Sequence, residues 1–409
     1  MPLYQLPLIA LLAVFTLRNG LKRRLVSSAM LGTLLAYASY LLAIDVTGQI
    51  EQVRVFNTLP PEFVTANCAI LAAFATAFLT GGAVINAIAQ KAPAMPARAR
   101  GVLVPLFTGL ALVTISADGW WLFAPYPQNK GQFQLVPLGG ASAMANLLIL
   151  IAVNRAHSTG HQLGIARAVF WSVIAHYVLA GDRGALLFLL VGAYGFQLSN
   201  LPRLTWRHLV KTGVLAAMLM IGLEQISALR SWGAQTPSAQ GSFLAEIDLL
   251  PQSVAHMYHG IALRLSGYQT FAGSTVELLG TLWLQIIPSG ILSAVGVQLY
   301  NGPLMLHEFV VHGGGFFVPA ELYFAAGPSA VLTIGAYFGA LAAVADRLAK
   351  RRNDTLMVTL VLLVAASSFY TMFYGVQAAH RMLTLPLVLL ATRALFRNVM
   401  LQIGPQRAW

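Results

Sequence analysis

The stretch RNGLKRR (18–24) decides how this chain is read. It separates two apolar runs, 2–17 and 25–44, each close to the roughly 20 residues with which a helix crosses a bilayer. Basic linkers of the same kind recur between apolar segments: KAPAMPARARG (91–101), residues 154–167, PRLTWRHLVK (202–211) and DRLAKRRND (346–354). Lys and Arg resist translocation, so loops that carry them mark the cytoplasmic face. Composition points the same way. The chain is 57% hydrophobic and 9% charged with a mean hydropathy of +0.71, whereas about a quarter of the residues of a soluble domain are charged. An ordinary soluble domain is excluded, and an all-α polytopic membrane protein is predicted. The net charge of +12 is spread over the linkers. That distribution fits membrane orientation and contact with anionic lipid headgroups, not nucleic acid.

Spans of about 20 residues fall near 2–17, 25–44, 63–89, 101–117, 137–153, 163–181, 184–201, 212–229, 318–345, 355–375 and 380–400. These eleven helices form one transmembrane domain, 1–409. Residues 1–17 lack a basic leader and are followed at once by Arg18, Lys22, Arg23 and Arg24. This is the reverse of a cleavable signal peptide, so they are read as a retained first helix with its N-terminus outside. An odd count then places the C-terminus inside, with Arg393, Arg397 and Arg407. Residues 231–317 form one large external loop. Its apolar stretch 278–299 is broken by Pro288, Ser289 and Gly290, and a single crossing there would invert the last three helices. It is predicted to be re-entrant or interfacial, with a tight hairpin of two short helices as the alternative. The single cysteine, Cys68, excludes a disulfide framework.

Four arginines stand at the face opposite the basic linkers: Arg183, Arg230, Arg264 and Arg381. Arginine beside long apolar helices is costly unless it meets an anion or stays hydrated. In QSVAHMYHG (252–260), His256 and His259 are three apart, on one face if helical, and Arg264 follows after about one further turn. This set can bind a phosphate or orient a base; an amphipathic interfacial helix is the plainer reading. Asp182 and Arg183 mark a hairpin tip, where the carboxylate either neutralises the guanidinium or holds it for a bidentate grip on pyrophosphate. HGGGFFVPAELYFAAGPSAVLTIG (312–335) runs from His312 and a glycine cluster into a helix that Glu321 opens. There Glu321 either serves the chemistry or complements the helix dipole. Tyr370, Tyr374 and His380 cluster with Arg381, the tyrosines reading most simply as an aromatic belt. No HExxH pattern or Cys cluster is present, so no metal or other cofactor is expected.

Taken together, the pattern resembles the Wzy-type polymerases of bacterial O-antigen and exopolysaccharide repeat units. The resemblance rests on Arg183–Gly184 at a hairpin tip, an Arg-x10-Gly element from Arg230 to Gly241, the Ile-Pro element in IIPSG (286–290), and GGGFFVPAELYFAAG (313–327). The Ile-Pro element here lacks the basic residues that often accompany it in the family. The resemblance implies an inner-membrane glycosyltransferase whose donor and acceptor are oligosaccharides on undecaprenyl pyrophosphate at the periplasmic face, with a chain-length regulator as a possible partner. An acceptor hydroxyl attacks the anomeric carbon of the donor and undecaprenyl pyrophosphate departs. Cations are needed for the leaving anion, the roles assigned to Arg230, Arg264, Arg183 and Arg381. A base is needed for the hydroxyl, with His259, His312 and Glu321 as candidates. O-antigen ligases share this plan and are the nearest alternative. A flippase or transporter would show ionisable residues at helix midpoints and paired halves, and neither is evident in the sequence.

Overall fold

A computed structural model describes residues 5–47, 62–88, 141–160, 162–180, 183–201, parts of 204–214, 259–268, 274–287, the positions 292, 296, 300, 302 and 305, 316–349 and 355–403. Among these the protein is helical with no named strand. The helices are α1 (Gln5–Leu21), α2 (Leu25–Thr47), α3 (Phe63–Ile88), α4 (Ala141–Thr159), α5 (Leu163–Ala180), α6 (Arg183–Asn200), α7 (His259–Leu265), α8 (Thr275–Leu284), α9 (Val318–Ala349), α10 (Thr355–Phe373) and α11 (Val376–Ile403). Nine of the expected spans coincide with α1 to α6 and α9 to α11. The spans expected at 101–117 and 212–229 lie outside the described residues, apart from Val214. Among the described residues, three helices are long and apolar enough to cross a membrane: α2 through Leu25–Leu42, α3 and α9. Shorter apolar segments accompany them in α1, α5, α6, α8 and α10. The protein is thus membrane-associated.

The chain divides into two compact units. One comprises 93–248 and 349–366. Its core joins α4, α5, α6 and the first part of α10 through Leu150, Phe170, Tyr177, Leu189 and Leu363. Inside it, Asn154 Nδ2 donates to Thr359 Oγ1 at 3.1 Å, which satisfies two buried polar groups in an otherwise apolar contact.

The other unit, 1–92, 249–348 and 367–409, is organised by α9. Gly81 of α3 and Gly339 of α9 face each other's partner backbone: a methyl on Gly81 would run into Ala336, and one on Gly339 into Phe78. Lipid supplies no hydrophobic drive between helices, so small residues that let backbones touch provide the packing energy instead. Gly335, which abuts Phe74 and Ala77, extends this stripe by one turn.

Polar contacts from α9 close the ends of three other helices. Asp346, 2% exposed, accepts from Val26 N at 2.8 Å, Ser27 N at 3.1 Å and Ser27 Oγ at 2.6 Å, capping the start of α2. Arg347 Nη2 donates to Asn86 O at 2.8 Å, near the end of α3. Glu321 Oε2 accepts from Val376 N at 2.6 Å, at the first turn of α11. Each sign suits the helix dipole it meets, with carboxylates at N-termini and the guanidinium at a C-terminus. Glu321 therefore serves the start of α11, beyond its place on its own helix. The contacts also gather the start of α2, the end of α3 and the start of 346–354 at one end of α9. The basic-linker pattern assigns these same three segments to a single face.

Residues 318–345 read as one uninterrupted span, but α9 is broken. Ala326 (φ −137, ψ 17) and Gly327 (φ 74, ψ −160) leave the helical region, and Pro328 follows inside the element. Glycine tolerates the left-handed φ, and proline removes the N–H that would continue the ladder. In a continuous helix Glu321 and Tyr337 would lie about 24 Å apart. Their partners Val376 and His380 are one turn apart on α11, about 6 Å. The break turns 318–325 back toward α11, and 328–349 is the remaining rod, roughly 33 Å long.

Candidate functional site

The site is assembled where the described parts of 259–305 meet the break in α9, all within one unit. Helix α7 docks on the segment before the break. Gly260 lies against the Phe316 ring and Ala320 O, where any side chain would collide. Phe316 in turn forms an isolated parallel bridge with Tyr374 and packs edge-on against Phe324.

Arg264, in the last turn of α7, points at the break. A Cβ built on Gly327 would stand 3.5 Å from Arg264 Nη2, so the missing side chain leaves room beside the guanidinium. Arg264 Nη1 is buried and has no hydrogen-bond partner among the described residues. A buried guanidinium N–H left unpaired is costly, and an anion is the group that best removes the cost.

Helix α8 opens with a capping box. Ser274 Oγ accepts from Glu277 N at 3.3 Å, and Glu277 Oε2 accepts from Ser274 N at 2.6 Å. The S-x-x-E spacing at Ser274 announces this start in the sequence. Helix α8 then follows α9: Thr275 Oγ1 and Ser329 Oγ share a hydrogen bond of 3.0 Å, and the Trp283 and Tyr337 rings lie 6.3 Å apart. With ten residues, about 15 Å, α8 is too short to cross a membrane. The chain returns from it, because Gln285 Nε2 donates to Tyr300 O at 2.8 Å and Tyr300 lies beside the Glu321 carboxylate. This path suits the expected non-crossing element, although most of 288–299 lies outside the described residues.

Glu321 is fully buried. Gly302 and Tyr300 face its free side, where a methyl on Gly302 would overlap the carboxylate and reach 2.8 Å from the Tyr300 hydroxyl. Burial, with Glu321 beside it, pushes the Tyr300 phenol well above its ordinary value, so it meets the carboxylate as a neutral hydroxyl. Arg381 is exposed, and its Nε donates to Gln285 O at 3.1 Å. Among the described residues neither Nη has a partner, so the outer fork of the guanidinium is uncommitted. Its neighbour His380 is fully buried. His380 Nε2 shares a 3.0 Å hydrogen bond with Tyr337 OH, Trp283 stands edge-on at 5.3 Å, and Nδ1 has no partner among the described residues.

Of the residues singled out from the sequence, Arg264, Glu321 and Arg381 come together around α8, and His259 starts the same short helix as Arg264. The His259 side chain lies outside the described residues, as does that of Arg183, the first residue of α6. Arg230 and His312 lie wholly outside them. Tyr300, Gly302, Gln285 and the Tyr337–His380 pair were not picked out as partners. Only the His380–Arg381 dipeptide and the Gly-Pro of AAGPS gave any local signal. No group of His, Cys, Asp and Glu among the described residues is arranged to hold a metal ion. No known protein family, no curated protein and no solved structure matches this chain.

Proposed function

We propose that the protein joins lipid-pyrophosphate-linked oligosaccharides, as a polymerase of undecaprenyl-linked repeat units. One observation carries the reading: two guanidinium groups are held on separate anchors, Arg264 beside the break with Nη1 buried and unpaired among the described residues, and Arg381 pinned through Nε to Gln285 O. Two separately held cations suit a reaction between two lipid-linked chains, each carrying a pyrophosphate. A ligase acting on a lipid A core would carry undecaprenyl pyrophosphate on one substrate only.

In this reading one of Arg264 and Arg381, with Arg183 and Arg230, stabilises the charge that develops on the departing donor pyrophosphate, and the other holds the pyrophosphate that the acceptor keeps. That leaving group is already a stable anion, so no general acid is required. His259 is the first choice as the base that accepts the proton of the attacking sugar hydroxyl, followed by His312 and Glu321, because histidine titrates near neutrality without tuning. The membrane would be the bacterial inner membrane, with the site on its periplasmic side. A second reading draws on the break in α9, since discontinuous helices line substrate paths in transporters; it would make the protein a flippase for the same lipid-linked glycans.

The surface glycan of a deletion strain separates these readings. A ladder collapsing to a single repeat unit identifies the polymerase. Lipid-linked polymer accumulating without surface display identifies a ligase. Repeat units trapped on the cytoplasmic face identify a flippase.

A further inference from the structure

Three hydrogen bonds and one close approach around Glu321 form a circuit. Glu321 Oε2 holds Val376 N at 2.6 Å, and Val376 begins the helix that carries Arg381 one and a half turns later. Arg381 Nε reaches back to Gln285 O at 3.1 Å, and Gln285 Nε2 to Tyr300 O at 2.8 Å. The Tyr300 phenol returns to the Glu321 carboxylate. Four separate segments thus meet at one buried carboxylate: the part of α9 before the break, the loop at 300, the end of α8 and the start of α11. Only one charged group in the circuit faces outward, the Arg381 fork. Its Nε is taken by Gln285 O, which restrains the guanidinium, and the side chain is exposed.

We infer that Glu321 is a positioning residue, which aims the Arg381 fork at an anionic phosphate group through Val376 on one side and Tyr300 and Gln285 on the other. The inference rests on the reading of Arg381 as an anion ligand and goes beyond it by giving Glu321 a task other than proton transfer. The geometry favours this task. The carboxylate is fully buried, one oxygen is held by a backbone N–H, and the other is enclosed by Gly302 and Tyr300. An arginine with a loose side chain loses rotamer freedom on gripping a phosphate, and one already pinned through Nε loses less.

Two substitutions separate positioning from proton transfer. Glu321→Gln keeps an acceptor for Val376 N but cannot act as a base. Val376→Pro removes the N–H at a first-turn position that proline tolerates, and leaves the carboxylate in place. The binding probe is inorganic pyrophosphate, titrated calorimetrically into the purified protein in detergent. Turnover is followed in parallel on synthetic undecaprenyl-pyrophosphate-linked repeat units. The expected result is that V376P weakens pyrophosphate binding and raises KM about tenfold with kcat changed less than threefold, and that E321Q, a weaker acceptor for Val376 N, shifts binding and KM the same way by a smaller factor, again with kcat changed less than threefold. A hundredfold loss of kcat in E321Q with native pyrophosphate binding would make the carboxylate the base and overturn the inference. So would native binding and KM in V376P when Arg381→Ala weakens them. If Arg381→Ala itself leaves pyrophosphate binding untouched, the anion reading of Arg381 fails, and the positioning role fails with it. Titration needs no polymerase activity, so that failure is distinct from a failure to polymerise.

Discussion

Adding a single methyl at the α3–α9 crossing tests the packing directly. In Gly339→Ala the new Cβ would stand 2.8 Å from Phe78 Cα and closer still to its carbonyl, and in Gly81→Ala 2.9 Å from Ala336 Cα. Carbon atoms rest at about 3.5–4.0 Å, so the helices must part by roughly 1 Å. A gap of that size forfeits about a quarter to a half of each contact across the crossing. With roughly 0.1–0.2 kcal/mol per atom pair and a few tens of pairs, the loss is on the order of 1–3 kcal/mol, the usual range for overpacking. The helices are parted once, so the second methyl enters space already opened. The double variant should therefore cost clearly less than the sum of the singles. The measure is the fraction of protein that stays monodisperse on size exclusion after graded heating in detergent, calibrated by unfolding in sodium dodecyl sulfate. Gly280→Ala in α8 is the control. Nothing lies within 4 Å of its Cβ position, so it should be neutral or stabilising by up to about 1 kcal/mol. If both crossing variants match the native protein, or if their costs simply add, the close backbone contact is not what holds α3 to α9.

Asp346→Ala strands two N–H groups of α2 and the Ser27 hydroxyl and should cost about 2–4 kcal/mol, whereas Asp346→Asn keeps an acceptor and should cost less; the same heating series ranks them. Arg264→Ala should abolish polymer at native protein levels while Arg264→Lys keeps a reduced activity, since lysine retains the charge without the planar fork. Gel ladders of the complemented deletion strain report both, and full polymer from the alanine variant would remove Arg264 from the site. With Cys68 replaced, single cysteines at Ser242, Ser253 and Ser266 should react with a membrane-impermeant thiol reagent added outside. Labelling only after the inner face is opened would reverse the topology. Turnover should survive chelation by EDTA, and restoration by a divalent ion after a loss would show that a metal takes part.

Helix limits were legible because apolar run length and basic linkers are properties of the chain itself. The start of α2 at Leu25 was read to the residue, whereas α1 runs on to Leu21, four residues into the stretch read as a linker. Partnerships were less legible, since they depend on which helix ends meet. Asp346 looked like one more member of a charged loop, yet it is buried against Val26 and Ser27, 320 and 319 positions away. The break in α9 was written in the Gly327–Pro328 pair, but the apolar run through it masked the signal, because hydropathy does not register φ. Arg381 carried the same anion-binding expectation as Arg264, with nothing local to say what would hold it. The bond that pins it, to Gln285 O, comes from the end of a loop helix whose depth nothing in the sequence specifies. Glu321 carried two readings from sequence, and its burial against Val376 N adds a third that no local pattern could announce.

The caps on α9 have a mechanical consequence. Beyond the break the rod is keyed to α2 through Asp346, to α3 through Arg347, and to α3 again where Gly81 and Gly339 touch. Sliding it by one residue, 1.5 Å, or turning it by 100°, would release both ends and unseat the crossing at once. These three helices can move only as one block. The segment before the break is clamped separately, by Glu321 to the start of α11. Relative displacement between the two clamped bodies falls on the backbone of Ala326 and Gly327, where Arg264 is stationed. Any gating stroke in this protein would pivot there, beside the Arg264 guanidinium.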